Sequence, residues 1–194
     1  MKFSKEVQLQ LIEYSSILLK WNKTINLVSK NTEFDIWNRH IMDCAQLYDY
    51  IDPKKNIWDL GSGAGLPGLI LSILGAKNIT LVESDIRKCV FLRQCANIST
   101  NKITIINERI EKINSFHYDD PDIIVTRALC SISDFLKYSR FFPTANDVFL
   151  LKGKNYQKEL EEASKNWHFN FYSYISKTNP DSVVLKIKNV TAKH

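Results

Sequence analysis

The residues best able to do chemistry in this chain cluster in one glycine-rich stretch, Asp59-Leu60-Gly61-Ser62-Gly63-Ala64-Gly65-Leu66-Pro67-Gly68. It follows the apolar run Ile57 to Leu60 and opens a helical pattern from Pro67. A backbone that must turn sharply there, and let a ligand approach closely, favours residues without a Cβ. Pro67 suits the first turn of a helix, where its missing N–H costs nothing. Gly63-x-Gly65-x-x-Gly68 matches the spacing of a dinucleotide-binding loop. Its first glycine, however, comes three residues after Leu60, too late for the tight first turn of such a loop. An acid at the strand end, Asp59, makes little sense beside a pyrophosphate and good sense beside a positively charged cofactor.

Two further charged residues stand at the ends of apolar runs. Glu83 closes Leu81-Val82-Glu83, about as far downstream as Rossmann-like sites place an acid on ribose hydroxyls. A carboxylate can accept from both hydroxyls at once. Arg127 ends the run Asp122 to Thr126, facing the crevice where α/β folds bind ligands. It is the expected orienting residue of the site. His40 and Asp43 share a helix face, but no further His or Cys completes a metal set, so no metal is expected. A packing or capping role suits them better. Asn26 is a candidate for holding a loop over the site. No Ser/His/Asp or Cys/His set is evident. Cys44, Cys89, Cys95 and Cys130 form no C-x-x-C pair and read as reduced thiols.

The elements that must position these residues follow from periodicity. Phe3, Val7, Leu11, Tyr14, Leu18 and Trp21 recur three or four apart and line one helix face. Polar and turn-forming residues from Asn22 to Thr32 break that pattern. A second helix is expected from about Glu33 to Tyr50, stopped by Asp52-Pro53. Strands are then expected at 57–60, 79–83, 103–106, 122–126 and 148–151. The helices between them are expected from 67, over 85–99, 108–113 and 131–142, and after the fifth strand over 156–165. Alternating strands and helices imply a parallel sheet covered on both faces. Two last strands, 169–175 and 183–187, joined by a turn at Asn179-Pro180-Asp181, must be antiparallel. The expected fold is thus a Rossmann-like α/β domain with a mostly parallel seven-stranded sheet and an antiparallel last strand. Residues 1–54 form a helical extension on the core 55–194.

With 194 residues the chain suits one such domain. Hydrophobic residues make up 44% and charged residues 24%, which argues against disorder. The N-terminus shows no signal-peptide pattern, and no apolar run is long enough for a membrane helix. A cytoplasmic monomer is expected. The net charge of +5 is compatible with a polyanionic partner without demonstrating one. Lys20, Lys23, Lys30, Arg39, Arg87, Lys88, Arg93, Lys152 and Lys154 are the cations available to phosphate.

The pattern from Asp59 resembles motif I of S-adenosylmethionine (SAM)-dependent methyltransferases. More specifically, nearly the whole chain resembles the bacterial family of small-subunit rRNA guanine-N7 methyltransferases, also called glucose-inhibited division protein B or RsmG. Leu19 to Leu27 resembles its K-W-N-x-x-I-N-L signature, and Arg39-His40-Ile41-Met42-Asp43 its R-H-x-x-D helix. Asp59 to Gly68 resembles its glycine loop. Arg109-Ile110-Glu111 resembles its R-A-E segment, Val125 to Leu129 its T-S-R-A-L segment, and Leu151-Lys152-Gly153 its L-K-G. Glu83 stands where the family more often has Asp, and Ile110 replaces a small residue. The resemblance implies SAM contacts at Gly61, Leu66, Ile110, Glu111 and Arg127, besides the loop residues Asp59, Gly63 and Gly65 and the acid Glu83. It implies 16S ribosomal RNA, free or in the small subunit, as the partner.

Guanine N7 has an exposed lone pair and no proton, so its methylation needs no general base. Positioning and oriented electrostatics then suffice. Exocyclic amine methylation would place an Asn/Asp-Pro-Pro-aromatic motif where Thr126-Arg127-Ala128-Leu129 stands. Pyrimidine C5 methylation would require a cysteine after a proline, and Cys130 lacks the proline. Competing readings are a SAM enzyme acting on another RNA, a protein or a small molecule, an NAD(P)-dependent oxidoreductase, and a non-catalytic RNA-binding domain.

Overall fold

The computed structural model describes residues 2–113 and 118–193. Helix α1 (Lys5–Asn22) starts where the Ser4 side chain accepts from the Val7 N–H at 3.2 Å. Leu11, Tyr14 and Leu18 on its inner face are fully buried. The continuous second helix expected over 33–50 does not form. Its place is taken by a 3₁₀ turn (Lys30–Asp35), a π-turn (Trp37–Met42), the single α-turn α2 (Asp43–Ala45) and a second 3₁₀ turn (Gln46–Asp49). Single π-turns of this kind are rare overall and frequent at functional sites, and the buried His40 lies in this one.

Seven strands follow: β1 (Asn56–Leu60), β2 (Asn78–Val82), β3 (Lys102–Ile106), β4 (Ile123–Arg127), β5 (Asp147–Lys152), β6 (Trp167–Ile175) and β7 (Val183–Ala192). They form one sheet in the order β3-β2-β1-β4-β5-β7-β6. The first five are parallel, and β7 runs antiparallel to both β5 and β6. The helices between them are α3 (Gly68–Ile73), α4 (Ile86–Ala96), α5 (Ile132–Leu136) and α6 (Tyr156–Asn166). The helix expected over 108–113 is only a 3₁₀ turn, Ile110–Lys112, and that over 131–142 changes to 3₁₀ after Leu136.

Side chains alternate across the sheet, so each strand serves two cores. Ile57, Val125 and Phe149 pack with Leu11, Tyr14, Leu69 and Phe91 on one face. Trp58, Leu60, Ile124 and Leu150 pack with Ile132, Phe135 and Leu185 on the other. Asp59 and Arg127 fall on the same face as Ile57 and Val125, beneath α1, α3 and the 37–45 turns. That assignment decides what each can touch.

Candidate active site

Strand order reverses between β1 and β4, and open α/β sheets bind ligands beyond the carboxyl ends of their strands at such a point. A cavity of about 690 Å³ lies there. Its walls come from the segments after β1, β2, β3 and β4, from loop residues 27–32, and from the β6–β7 turn.

The glycine loop is rigid because its neighbours fix it. Gly61, Gly63 and Gly65 have φ of 69°, 55° and 77°, in the left-handed region. A Cβ at Gly61 would lie 2.4 Å from Leu129 Cδ1. The Gly63 N–H donates to Glu83 Oε2 at 2.9 Å, and the Asp85 N–H to Glu83 Oε1 at 2.8 Å. The Tyr14 hydroxyl, from α1, donates to the Ala64 carbonyl at 2.7 Å.

Asp59 lies behind the loop. It is fully buried, and its Oδ2 accepts from the Gly68 N–H at 2.9 Å, at the start of α3. A Cβ at Gly68 would sit 2.9 Å from that oxygen. Burial pushes the Asp59 carboxyl up to about 7, against the Gly68 hydrogen bond and with the nearby Glu83 carboxylate adding to the rise.

Arg127 reaches the 37–45 turns. Its Nη1 donates to the Arg39 carbonyl at 3.2 Å and lies 3.4 Å from Asp43 Oδ2. Its Nη2 donates to His40 Nδ1. Burial, then the Arg127 and Arg39 charges, lower the His40 imidazole to about 4. A neutral ring whose Nδ1 accepts carries its proton on Nε2, which lies 2.8 Å from Thr32 Oγ1. Asp43 Oδ1 in turn accepts from Thr178 Oγ1 at 3.1 Å and from Gln46 Nε2 at 3.0 Å. One network thus ties Arg127 to the N-terminal turns and to the β6–β7 turn. His40 and Asp43 line the cavity and join the N-terminal turns to Arg127.

The chain matches the family model described as "rRNA small subunit methyltransferase G" over residues 7–183. The chain belongs to the family of small-subunit rRNA methyltransferases G. A relative of that name in Rickettsia rickettsii (strain Sheila Smith) is 40% identical over 192 residues, covering 98% of both chains. One from Orientia tsutsugamushi (strain Ikeda) is 46% identical over 186 residues, covering 95% of this chain and 92% of the relative. Among solved structures, the fold is similar to that of the 23S rRNA methyltransferase ErmE, with a TM-score of 0.55 and 16% identity over 77% of this chain and 66% of that one. A fibrillarin/Nop5p complex gives a TM-score of 0.56 at 14% identity, over 78% and 82% of the two chains. The α/β methyltransferase fold expected from the sequence is therefore the one observed.

Of the residues the family motifs point to, Gly61, Gly63, Leu66, Glu83, Ile110, Glu111 and Arg127 line the cavity. Asp59 and Gly65 do not, because alternation along β1 turns Asp59 toward α3. Asn26 is exposed, and the loop it was expected to hold is fastened by Asn22 instead. Asn22 Oδ1 accepts from the Leu27 and Val28 N–H groups at 2.7 and 2.9 Å, and its Nδ2 donates to the Val28 carbonyl at 3.0 Å. Its place in the Trp21-Asn22 signature was the signal that could have found it. Thr178, Asn179 and Ser182 lie in or beside the turn expected between the last two strands, but they reach the cavity because β7 returns beside β5, a long-range pairing that marks none of them as site residues. Of the cations, Arg39 and Lys88 line the cavity, whereas Lys152 is committed to Glu159 at 2.7 Å.

Proposed function

We propose that this chain transfers the methyl group of SAM to N7 of a guanine in 16S ribosomal RNA. The observation that carries the proposal is the convergence of Gly61, Glu83, Ile110, Glu111 and Arg127 on one cavity at the switch point of a methyltransferase fold. The residues suit the cofactor. Each oxygen of Glu83 already takes one backbone N–H, yet each carboxylate oxygen has a second lone pair, enough for two ribose hydroxyls. Gly61 holds a left-handed φ with Leu129 packed where a Cβ would stand, so the loop keeps its turn at the cavity wall.

SAM supplies an electrophilic methyl on a sulfonium. The work of the chain is to hold that group and the guanine in line and to exclude water. Glu83 fixes the ribose. Ile110, which is 7% exposed, and Leu66 give apolar walls. Arg127, held by His40, Asp43 and the Arg39 carbonyl, cannot swing freely and orients what lies against it. No side chain need take a proton, because N7 carries none.

The test is methyl transfer from labelled SAM to small ribosomal subunits from a strain lacking this gene, with the modified base mapped. Label at N7 of a guanine is expected. Label on another atom or another molecule, or none while SAM still binds, would refute the substrate assignment.

A further inference from the structure

A second cavity, of about 540 Å³, adjoins the first, and Asp43, Arg127, Ala128 and Ser182 line both. Ala128, at the junction, has φ of 54°, a conformation that costs a residue with a Cβ. Strain of that kind concentrates where surrounding structure holds a functional geometry. The far wall of the second cavity includes Lys152 at the end of β5 and Glu159 on α6. Lys152 Nζ lies 2.7 Å from Glu159 Oε2 and donates to the Cys130 carbonyl at 2.6 Å. The same Glu159 oxygen accepts from the Ile132 N–H at 2.9 Å. The lysine side chain is 11% exposed and the glutamate 28%, and each is held by a second partner, so the pair is fixed in place with the carboxylate still open to the cavity.

We infer that this second cavity receives the target base, and that Lys152 and Glu159 read it as guanine; the inference rests on the proposed N7 reaction. Guanine presents N7 and O6 on one edge, with the N1–H and N2–H₂ donors on the opposite side of the six-membered ring. With N7 at the junction, beside Arg127, those donors point away into the second cavity. An acceptor, O6, then stands next to a donor, N1–H. A fixed ammonium beside a fixed carboxylate is the complement of that order. Adenine presents a donor where guanine has O6 and an acceptor where guanine has N1–H, so the same pair faces it with like against like. A base that enters here has left its stack, which fits recognition of RNA in a loop or end rather than in a duplex.

Two variants test this in the full chain. Gly153 lines the second cavity and not the first. A Cβ added there meets nothing within 4 Å. Gly153→Phe therefore places a bulky ring on the lining of the second cavity without a clash and away from the cofactor side, and Glu159→Gln removes the guanine-reading carboxylate. Both are assayed for kcat/KM on undermethylated small subunits, for SAM affinity by direct binding, and for Tm, beside the wild type. The expected result is a fall in kcat/KM of about tenfold or more in each variant, with SAM affinity changed by less than about twofold. If Glu159→Gln fails to fold, Gly153→Phe alone decides. Wild-type kcat/KM in Gly153→Phe overturns the inference. A wild type that binds SAM but labels no guanine N7 overturns the proposed reaction, and this inference with it, whereas a wild type that labels N7 while both variants do so equally well overturns the inference alone.

Discussion

Substitution of Asp59 by Asn isolates the electrostatic cost of one buried carboxyl. The carboxyl is fully buried, with one oxygen on the Gly68 N–H, and the other is a buried atom with no hydrogen-bond partner. Burial lifts it from 3.8 to about 7. A raised acid holds its proton more tightly folded than unfolded. Its contribution to stability is therefore present below about pH 4 and is lost as pH rises to about 7. A gap of about three pH units corresponds to roughly 4 kcal/mol. His40 has the opposite sign in an overlapping window. Its imidazole is lowered from 6.5 to about 4, so stability falls as pH drops through that range, by up to roughly 3 kcal/mol. In the wild type the two slopes nearly cancel. Urea unfolding at intervals from pH 4 to 8 separates them. The Asp59→Asn stability minus that of the wild type is expected to rise by roughly 4 kcal/mol between pH 4 and 7 and then level off. His40→Gln is expected to expose the falling slope of Asp59. A flat Asp59→Asn difference curve would show that this carboxyl is ionised at ordinary cost, and the argument from burial would be wrong.

Three other outcomes follow from the site geometry. Tyr14→Phe deletes the hydroxyl that donates to the Ala64 carbonyl, and is expected to lower stability by about 1 kcal/mol and to weaken SAM binding, measured by unfolding and by titration. Gly61→Ala combines a left-handed φ with a Cβ 2.4 Å from Leu129, whereas the nearest atom to a Cβ at Gly63 is 3.9 Å away. Gly61→Ala should therefore lose more SAM affinity than Gly63→Ala, and equal losses would mean that the Leu129 contact is soft. Glu83→Ala is expected to reduce SAM affinity about tenfold to a hundredfold, the worth of charge-assisted bonds to hydroxyls and to the Gly63 N–H, and an unchanged affinity would remove Glu83 from the site.

Much of this was legible in the chain itself. The alternation of apolar runs with helical stretches placed all seven strands, and the short 179–181 turn implied the antiparallel pairing of β6 and β7. Local spacing also picked out the glycine loop, Glu83 and Arg127, because strand ends and tight turns carry their own signals. What was not legible depends on distant partners. The 33–50 segment has a helical pattern, yet it is a series of short turns, with the buried His40 in one of them bonded to Arg127 some 87 residues away. The sequence marks Asp59 as a candidate for the cofactor, and only the fold reveals that its carboxyl is buried on the Gly68 N–H, behind the residues that line the cavity. The second cavity arises where the end of β4, the β5–α6 segment and the β6–β7 turn meet, three pieces that lie far apart in the chain.

The hydrogen bond from Tyr14 to Ala64 has a consequence for how the molecule breathes. Glycine-rich segments lose more freedom on ordering than any other, and this one is ordered by groups outside itself. One of those groups is the Tyr14 hydroxyl on α1, the first helix. Fraying of α1 would release the loop, so the cofactor-competent conformation and the docked helix form a single cooperative unit. A ligand held by the loop should then slow amide exchange not only at Gly61 and Gly63 but also along α1, beyond its own reach.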